Sequence, residues 1–335
     1  MSTRQKIGLT LSGGSALGLA HIGVLKALEE EGIPIDMISG TSMGALIGAW
    51  YAKEGNSAIL EEIASGIDWK REAHLVDLNL GLLWKGFIHG QKVKSLLTHL
   101  IGDIEFRDLR IPFAAVATDA QSMEEIVLSE GSVIEAIRAS ISLPAIFTPA
   151  RWHGRLLIDG GVVNPMPVDV VRKMGAEKVI ASNVAVVVKK NVSRIPLPPR
   201  EQKPLPPPRP YAGHPHLLAV KQKINSLLEE NKDRVEVFDD LSRIARARIH
   251  ATIEKLDPQM PNMFDVLTQS LNAMQYEKIK RSAKLADIVI NPDVSNIGTF
   301  DFYRAHEAIT RGYEATKEIL PEIREMIYQA PPPST

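Results

Sequence analysis

The sequence predicts an α/β fold, a three-layer α/β/α sandwich around a largely parallel central sheet. Apolar, strand-like runs alternate with amphipathic, helix-like stretches from Ile7 onward. A glycine-rich turn and a Gly-x-Ser-x-Gly pentapeptide each join such a strand to such a helix. Successive units of this kind give parallel strands with helices on both faces. The composition, 44% hydrophobic and 24% charged residues, is that of a globular protein with a large core.

The first strand and helix enclose the glycine-rich turn. Ile7 to Leu11 is predicted as a buried strand, and Ser12 to Gly18 forms the turn. A helix follows from about Leu19 to Glu31, with its apolar residues on one face. Gly32 is a suitable C-terminal stop for that helix.

The second unit places a serine at a sharp turn. A strand from Ile35 to Ser39 leads through Gly40-Thr41-Ser42-Met43-Gly44 into a helix over Ala45 to Lys53. Glycines at 40 and 44 permit close backbone contacts that a side chain would prevent, so Ser42 is predicted to be an exposed nucleophile. The alternative is an ordinary helix N-cap formed by Thr41 or Ser42.

The remaining elements continue the alternation of strands and helices. Residues 57 to 100 are predicted to be mostly helical, with a loop around Leu80 to Gly90. The other predicted strands are Ile111 to Thr118, Arg155 to Ile158, Lys178 to Val188 and Ala286 to Asn291, and the other predicted helices are Gly131 to Ser140, Val168 to Met174 and Phe302 to Ile319. The strand ending at Ile158 leads directly into Asp159-Gly160-Gly161.

A proline-rich segment from Pro196 to Pro215 divides the chain. It cannot form a helix or a paired strand, so it is interpreted as an extended linker, although it could also be a ligand for proline-reading modules. The helical periodicity of Leu217 to Leu256 fits packing on the core or a lipid-facing cap, and Arg243, Arg246 and Arg248 fit a solvated face better than a phosphate-binding one. The predicted organisation is a catalytic core at 5–190, a linker at 191–216, a helical insertion or cap at 217–284, a returning strand and C-terminal helix at 285–325, and a tail at 326–335.

Charge and composition exclude several classes of function. A net charge of −1 gives no general attraction to nucleic acid, and the absence of cysteine excludes disulfides and cysteine catalysis. The sequence contains no apolar run of the roughly 20 residues that a membrane-spanning helix needs. Because no export signal is recognised, we expect a cytoplasmic protein that can attach peripherally to the inner face of the membrane. The oligomeric state stays open.

Three features together indicate ester hydrolysis. A serine that attacks an ester carbonyl needs a proton acceptor and N–H donors aimed at the developing oxyanion. The backbone N–H groups of Gly13, Gly14 and Ser15 are the predicted donors. Asp159, at a strand end and followed by two glycines, is the predicted proton acceptor.

These motifs resemble those of bacterial patatin-like phospholipases. Leu11 to Leu25 resembles the family's anion-stabilising segment, Gly40 to Gly44 its nucleophile motif, Arg138 to Pro144 a further shared segment and Asp159 to Gly161 its catalytic Asp-Gly-Gly. The resemblance implies a Ser42–Asp159 dyad that cleaves phospholipid or lysophospholipid acyl esters through an acyl-enzyme, without histidine, metal or cofactor. The motif glycines are Gly18, Gly40, Gly44, Gly160 and Gly161.

Two positions depart from the family pattern. Ser15 replaces the third glycine of the usual Gly-Gly-Gly-x-Arg-Gly, and Leu17 replaces its arginine. Ser15 keeps its N–H, and donation is expected to survive if its φ is negative. The missing arginine removes a positive charge. The alternative function is therefore a patatin-fold binding or regulatory protein with weak or no catalysis.

Other chemistries fit the sequence less well. A dinucleotide site would use Asp36, but Ser15 stands where its fingerprint needs a glycine. A phosphate-binding loop would need a lysine after Gly18. A Ser-His-Asp triad is open to His21, His153, His214 or His216, and the spacing typical of histidine metal ligands is absent.

Overall fold

The computed structural model describes residues 4–66, 91–144, 146–185 and 263–328. All of these residues belong to one compact unit, made of residues 1–186 and 257–335. The predicted loop at Leu80 to Gly90, the linker at 191–216 and the amphipathic segment at 217–256 lie outside the described residues. His214 and His216 lie outside them as well, together with Arg243, Arg246 and Arg248. The domain organisation proposed from the sequence thus stays a prediction.

The described chain forms a mixed sheet with a parallel centre. Hydrogen-bonded neighbours follow the order β5-β6-β3-β2-β1-β7-β8, and β4 pairs with β3. The pairs along β3-β2-β1-β7-β8 are parallel, whereas β4, β5 and β6 pair antiparallel, so the predicted largely parallel sheet is confirmed. The strands are β1 Ile7–Leu11, β2 Met37–Thr41, β3 Phe113–Asp119, β4 Glu125–Leu128, β5 Ala150–Trp152, β6 Arg155–Asp159, β7 Lys178–Ser182 and β8 Ile288–Ile290.

Helices connect most of these strands. The α-helices are α1 Ala20–Glu30, α2 Met43–Glu54, α3 Ser57–Gly66, α4 Gln91–Ile101, α5 Val133–Ser140, α6 Val168–Lys173, α7 Met263–Ala283, α8 Ala305–Glu318 and α9 Leu320–Tyr328. Short 3-10 helices occupy Ser15–Leu19, Phe106–Asp108, Gly160–Val162 and Phe302–Arg304. Among the described helices, none combines the length and the apolar character that crossing a bilayer would require.

Two apolar clusters cover the two faces of the sheet. Helices α1, α2, α3, α5 and α8 contribute buried side chains to the larger cluster, and α6 and α7 contribute to the smaller one. Successive strand residues point to opposite faces. In β7, Ile180 packs in the larger cluster, whereas its neighbours Val179 and Ala181 pack in the smaller one. Helix, sheet and helix therefore form the three layers that the sequence predicts.

Several element boundaries differ from those predicted. Strand β2 extends through Gly40 to Thr41 because it continues to pair with β1 and β3, so Ser42 follows the strand directly. Strand β7 ends at Ser182, where its partners β1 and β8 end, rather than continuing through the β-branched run to Val188. The helix predicted over Phe302 to Ile319 begins as a 3-10 helix at Phe302–Arg304 and continues as α8, and a further helix, α9, follows it. The antiparallel strands β4 and β5 were missed because they are too short for a periodic pattern.

Helices α1 and α8 touch at two glycines. A β-carbon on Gly23 would lie 1.8 Å from the carbonyl oxygen of Ile309, and one on Gly312 would lie 1.8 Å from that of Ala20. Real β-carbons do not approach carbonyl oxygens so closely. The returning C-terminal helix can therefore pack backbone to backbone against α1 only because both positions lack a side chain.

We expect Gly312→Ala to destabilise the fold, because the new methyl group collides with backbone that cannot rotate away. The free energy of unfolding should fall by at least about 2 kcal/mol, as for overpacked cores. Urea unfolding measures this change. Gly66→Ala is the matched control, since a β-carbon on that exposed helical glycine meets nothing within 4 Å. Equal stability of the two variants would contradict the close helix contact.

Candidate active site

Ser42 occupies a strained turn between β2 and α2. Its backbone has φ 55° and ψ −122°, values that a residue with a side chain rarely adopts. Its hydroxyl makes no capping bond to α2, and the Thr41 hydroxyl donates instead to the carbonyl oxygen of Asn164 at 2.8 Å. The N-cap interpretation is therefore wrong for both residues. The strained backbone presents a half-buried side chain at the end of the strand.

The motif glycines flanking Ser42 are needed for close packing. A β-carbon on Gly40 would lie 2.5 Å from the carbonyl oxygen of Gly44. One on Gly44 would lie 2.2 Å from that of Leu11 at the end of β1. The first turn of α2 thus rests directly on the ends of β1 and β2, and any side chain at either glycine would force it away.

Strand β3 sets Ser42 and Asp159 side by side. Thr41 at the end of β2 pairs with Val116, and Asp159 at the end of β6 pairs with the next residue of β3, Ala117. Strand β4 pairs with both of these β3 residues and so occupies the opposite edge. It follows that β2 and β6 share one edge of β3, end to end. Both strands end at this point, and the chain leaves the sheet at Ser42 after β2 and at Gly160 after β6.

Asp159 is a buried carboxyl group with few polar neighbours. Its side chain is hydrogen-bonded at 2.7 Å by the amide of Gly161. Burial raises the pKa of Asp159 to about 6, although hydrogen bonding from the Ser42 side chain and the Gly161 amide lowers it. The effect of Ser42 on this pKa places its side chain next to the carboxyl group. A β-carbon on Gly160 would lie 2.2 Å from the carbonyl oxygen of Val116, which explains that glycine.

The glycine-rich loop lies next to Ser42. A β-carbon on Gly13 would lie 3.4 Å from that of Ser42. The Gly13 amide already donates to the carbonyl oxygen of Pro165 at 2.9 Å. Within the described residues, the amides of Gly14 and Ser15 have no hydrogen-bond acceptor. The three predicted donors thus differ in availability, and two amides are open to a ligand.

The two departures from the family pattern differ in their structural setting. Ser15 has φ 48°, so the condition that its φ be negative is not met, and the serine adopts a conformation that favours glycine. Its amide nevertheless has no acceptor among the described residues, so the positive φ adds strain without removing the donor. Leu17 is 3% exposed within the larger apolar cluster, so its side chain is directed into the core. Gly18 is needed because a β-carbon there would lie 2.4 Å from Met43 Cγ.

The described histidines do not form a triad. His21 is fully buried, with Nδ1 2.8 Å from Ser182 Oγ and Nε2 2.8 Å from the carbonyl oxygen of Ser12. Since a carbonyl only accepts, Nε2 carries the hydrogen and Nδ1 accepts from Ser182. His153 is exposed in the turn between β5 and β6. Both nitrogens of His21 are therefore engaged, one with Ser12 at the start of the glycine-rich turn and the other with Ser182 at the end of β7.

Asp36, the acidic residue that a dinucleotide site would use, is already engaged in hydrogen bonds within the protein. The carboxylate of Asp36 accepts two hydrogen bonds of 2.6 Å from the Arg4 guanidinium and one of 2.7 Å from the Ile7 amide. These bonds lower the pKa of Asp36 and occupy both of its oxygens. A ribose hydroxyl would have to displace them.

The segment after Asp159-Gly160-Gly161 packs against the elbow, the glycine-rich loop and strand β2 from outside the site, and sequence reasoning missed it. Carbonyl oxygens of Asn164, Pro165 and Pro167 accept from Thr41 Oγ1, the Gly13 amide and Ser39 Oγ, respectively. Proline holds its own φ and the preceding residue extended, which leaves carbonyls available to neighbours. The sequence Asn164-Pro165-Met166-Pro167 could have indicated this segment, which we call the Asn-Pro-Met-Pro strap.

Replacing Asp159 should stabilise the protein at neutral pH. The folded pKa of about 6 lies above the ordinary value of 3.8, so the contribution of this group is most favourable below pH 3.8 and is lost as pH rises through 6. We expect Asp159→Asn to raise the free energy of unfolding at pH 8 by at most about 3 kcal/mol, with the gain vanishing near pH 4. Urea unfolding across this range measures the difference.

Asp119→Asn is the matched control for that experiment. Hydrogen bonds from the amides of Gln121 and Ser122 lower the pKa of Asp119, and Arg155 adds to the effect. The control should therefore lose stability at pH 8. A loss in both variants would contradict a costly buried charge at Asp159.

The buried His21 should make folding sensitive to mild acid. Burial lowers its pKa from 6.5 to about 4, so the unfolded chain binds the proton more readily. Its contribution is present above pH 6.5 and is lost as pH falls toward 4, at most about 3 kcal/mol. His21→Gln, which does not titrate, should lose less stability than the wild type between pH 7 and 4. Parallel pH profiles would contradict the neutral buried imidazole.

Sequence comparisons agree with this geometry. Residues 9–172 match the sequence model of the patatin-like phospholipase family. The neuropathy target esterase sws of Drosophila melanogaster is 36% identical over 189 residues, 54% of this chain and 13% of that protein. The human patatin-like phospholipase domain-containing protein 6 is 37% identical over 187 residues, 54% of this chain and 14% of that protein.

A bacterial protein is similar over the same share of the chain. The uncharacterized NTE family protein Mb1092c of Mycobacterium bovis is 33% identical over 180 residues, 54% of this chain and 49% of that protein. The chain thus spans less than half of each of these relatives. The Gly-x-Ser-x-Gly elbow, the glycine-rich loop and the segment from Asp159 to Pro167 lie within the matched residues. Residues 9–172, about half of this chain, are therefore a patatin-like phospholipase domain.

Proposed function

We propose that this protein hydrolyses acyl esters of phospholipids or lysophospholipids, with Ser42 as nucleophile and Asp159 as proton acceptor. The observation that carries the proposal is the shared edge of β3, which brings a strained serine next to a buried carboxyl group. The patatin-like phospholipase domain supports a lipid substrate. The name of the Drosophila relative, an esterase, supports an ester bond as the point of attack.

In the first step, Ser42 Oγ bonds to the ester carbonyl carbon while its proton moves to Asp159. The carbonyl electron pair moves onto oxygen and gives a tetrahedral oxyanion. When the carbonyl re-forms, the bond to the alcohol breaks, and the alcohol takes the proton from Asp159. A pKa of about 6 suits this task, because the carboxylate is ionised at neutral pH yet more basic than an ordinary aspartate.

In the second step, water attacks the acyl-enzyme. Asp159 accepts a proton from the water as its oxygen bonds to the acyl carbon, and a second oxyanion forms. Collapse of this intermediate breaks the bond to Ser42 Oγ, and the proton on Asp159 returns to that oxygen. The fatty acid leaves, and the dyad is restored with no net change in charge or protonation.

The oxyanion would be held by the amides of Gly14 and Ser15. Both are free of acceptors within the described chain, and the loop that carries them contacts Ser42 through Gly13. Helix α2 adds to the effect, since its positive N-terminal end begins at Met43, directly after the nucleophile. Fixed donors of this type contribute several kcal/mol to acyl transfer, roughly 3 for a single bond.

The half-buried side chains of Met43 and Leu46 flank the nucleophile on α2 and would border the acyl chain. Such a substrate resides in membranes or micelles, so we propose peripheral contact with a lipid surface.

The alternative function, a weak or inactive member of the family, rests on Ser15. This serine has a positive φ at the position where the family has a glycine.

Turnover should depend on both members of the dyad. We expect Ser42→Ala and Asp159→Asn each to lower kcat for p-nitrophenyl esters and for lysophospholipid micelles by at least about 100-fold. Wild-type kcat/KM should fall about tenfold per pH unit below pH 6, where Asp159 becomes protonated. Fluorophosphonate labelling of Ser42, read by mass spectrometry, reports the nucleophile directly.

Asp119→Asn is the control, because it alters another buried carboxyl of the same sheet. It should retain nearly full turnover. Undiminished hydrolysis by Ser42→Ala or Asp159→Asn would refute the dyad. A wild type that shows neither hydrolysis nor labelling would favour the binding or regulatory alternative.

A further inference from the structure

Ser140, the last residue of α5, is bonded to the backbone of the nucleophile. Its side chain is fully buried. Its Oγ accepts a hydrogen bond of 2.9 Å from the Ser42 amide and donates one of 2.6 Å to the carbonyl oxygen of Val116. Both roles of the hydroxyl are used, so its orientation is fixed.

The Ser42 amide needs such a partner. The amide belongs to the first residue after β2, beyond the last strand pair, and precedes a backbone rotation of φ 55°. A buried amide without an acceptor costs about 1 to 3 kcal/mol, and a strained conformation persists only where its surroundings hold it. Within the described structure, the Ser140 hydroxyl is the acceptor recorded for this amide.

The same segment also reaches the candidate proton acceptor. The amide of Asp159 donates to the carbonyl oxygen of Ser142 at 2.9 Å. The Val116 carbonyl that accepts from Ser140 is the one against which Gly160 packs. One helix end therefore touches the backbone of both residues of the proposed dyad.

We propose that Ser140 is a positioning residue that holds the Ser42 backbone in its reactive conformation. The inference rests on the proposed function and extends it to a side chain that meets neither substrate nor the reacting atoms. Removal of the hydroxyl frees the Ser42 amide and allows the turn to relax. A displacement of about 1 Å at a nucleophile lowers turnover by about 100-fold.

The test compares Ser140→Ala with a matched control, Ser39→Ala. Ser39 is also fully buried, lies on β2, and its hydroxyl makes one bond with Thr10 Oγ1 at 2.9 Å and donates another to the carbonyl oxygen of Pro167 at 2.8 Å. Each variant thus removes two buried hydrogen bonds, but only Ser140→Ala removes one from Ser42. Thermal unfolding should show similar losses of stability.

We expect the two variants to differ in reactivity. Ser140→Ala should lower kcat and the rate of Ser42 labelling by a fluorophosphonate by about 10- to 100-fold, with KM within about twofold. Ser39→Ala should keep the wild-type labelling rate within about threefold at a temperature where it is folded. If Ser140→Ala does not fold, Ser140→Cys, with a weaker hydrogen-bonding group of similar size, should label several-fold more slowly than Ser39→Ala.

The outcomes separate the two proposals. An active wild type with equal labelling rates in the Ser140 and Ser39 variants overturns the positioning role and leaves the dyad intact. A rise in KM without a fall in kcat or labelling rate also overturns it. A wild type that is neither labelled nor active overturns the proposed function and this inference with it.

Discussion

The site depends on a constraint of strand pairing. A strand has two edges, and β4 fills one edge of β3 at Val116 and Ala117. The other edge is shared by β2 and β6, which approach from opposite directions and both end there. The two β3 residues that pair with these strand ends are consecutive, and the Cα atoms of consecutive residues lie about 3.8 Å apart. Two segments that are far apart in the chain are therefore brought together at this point. The pairing of the strands thus determines where Ser42 and Asp159 lie, and the loops only supply the remaining groups of the site.

Strain and buried charge accumulate where the sheet brings the chain together. Ser42 and Ser15 both have positive φ, and Asp159 is a carboxyl group in an apolar setting. Buried polar contacts hold this arrangement, from Ser140 beneath the elbow to the carbonyls of the Asn-Pro-Met-Pro strap. His21 and Asp159 also respond to pH in opposite senses, since burial favours the neutral form of each. The surrounding core supplies the stability that the site lacks.

Much of this arrangement could be predicted from local sequence. The role of the glycines at 40 and 44 could be predicted, because only residues without a side chain permit helix α2 to rest on two strand ends. Asp159 could be predicted because it is a polar residue at the end of an apolar run. Pairing between distant strands leaves no local pattern, so the shared edge of β3 and the short strands β4 and β5 could not be found. The same holds for the Gly13 amide, whose acceptor is Pro165, and for Ser140, which resembles any helix-end serine.

The glycine contact between α1 and α8 has a consequence for how the chain assembles. Ribosomal synthesis delivers residues from the N-terminus at about 5 to 20 per second, and early segments ordinarily fold first. Here one side of α1 is covered by a helix that begins only at Ala305. A nascent chain that has completed β1, β2 and the elbow still exposes that side of α1 to solvent. That side of α1 therefore stays uncovered until α8 has been synthesised, and the domain cannot complete its core before then.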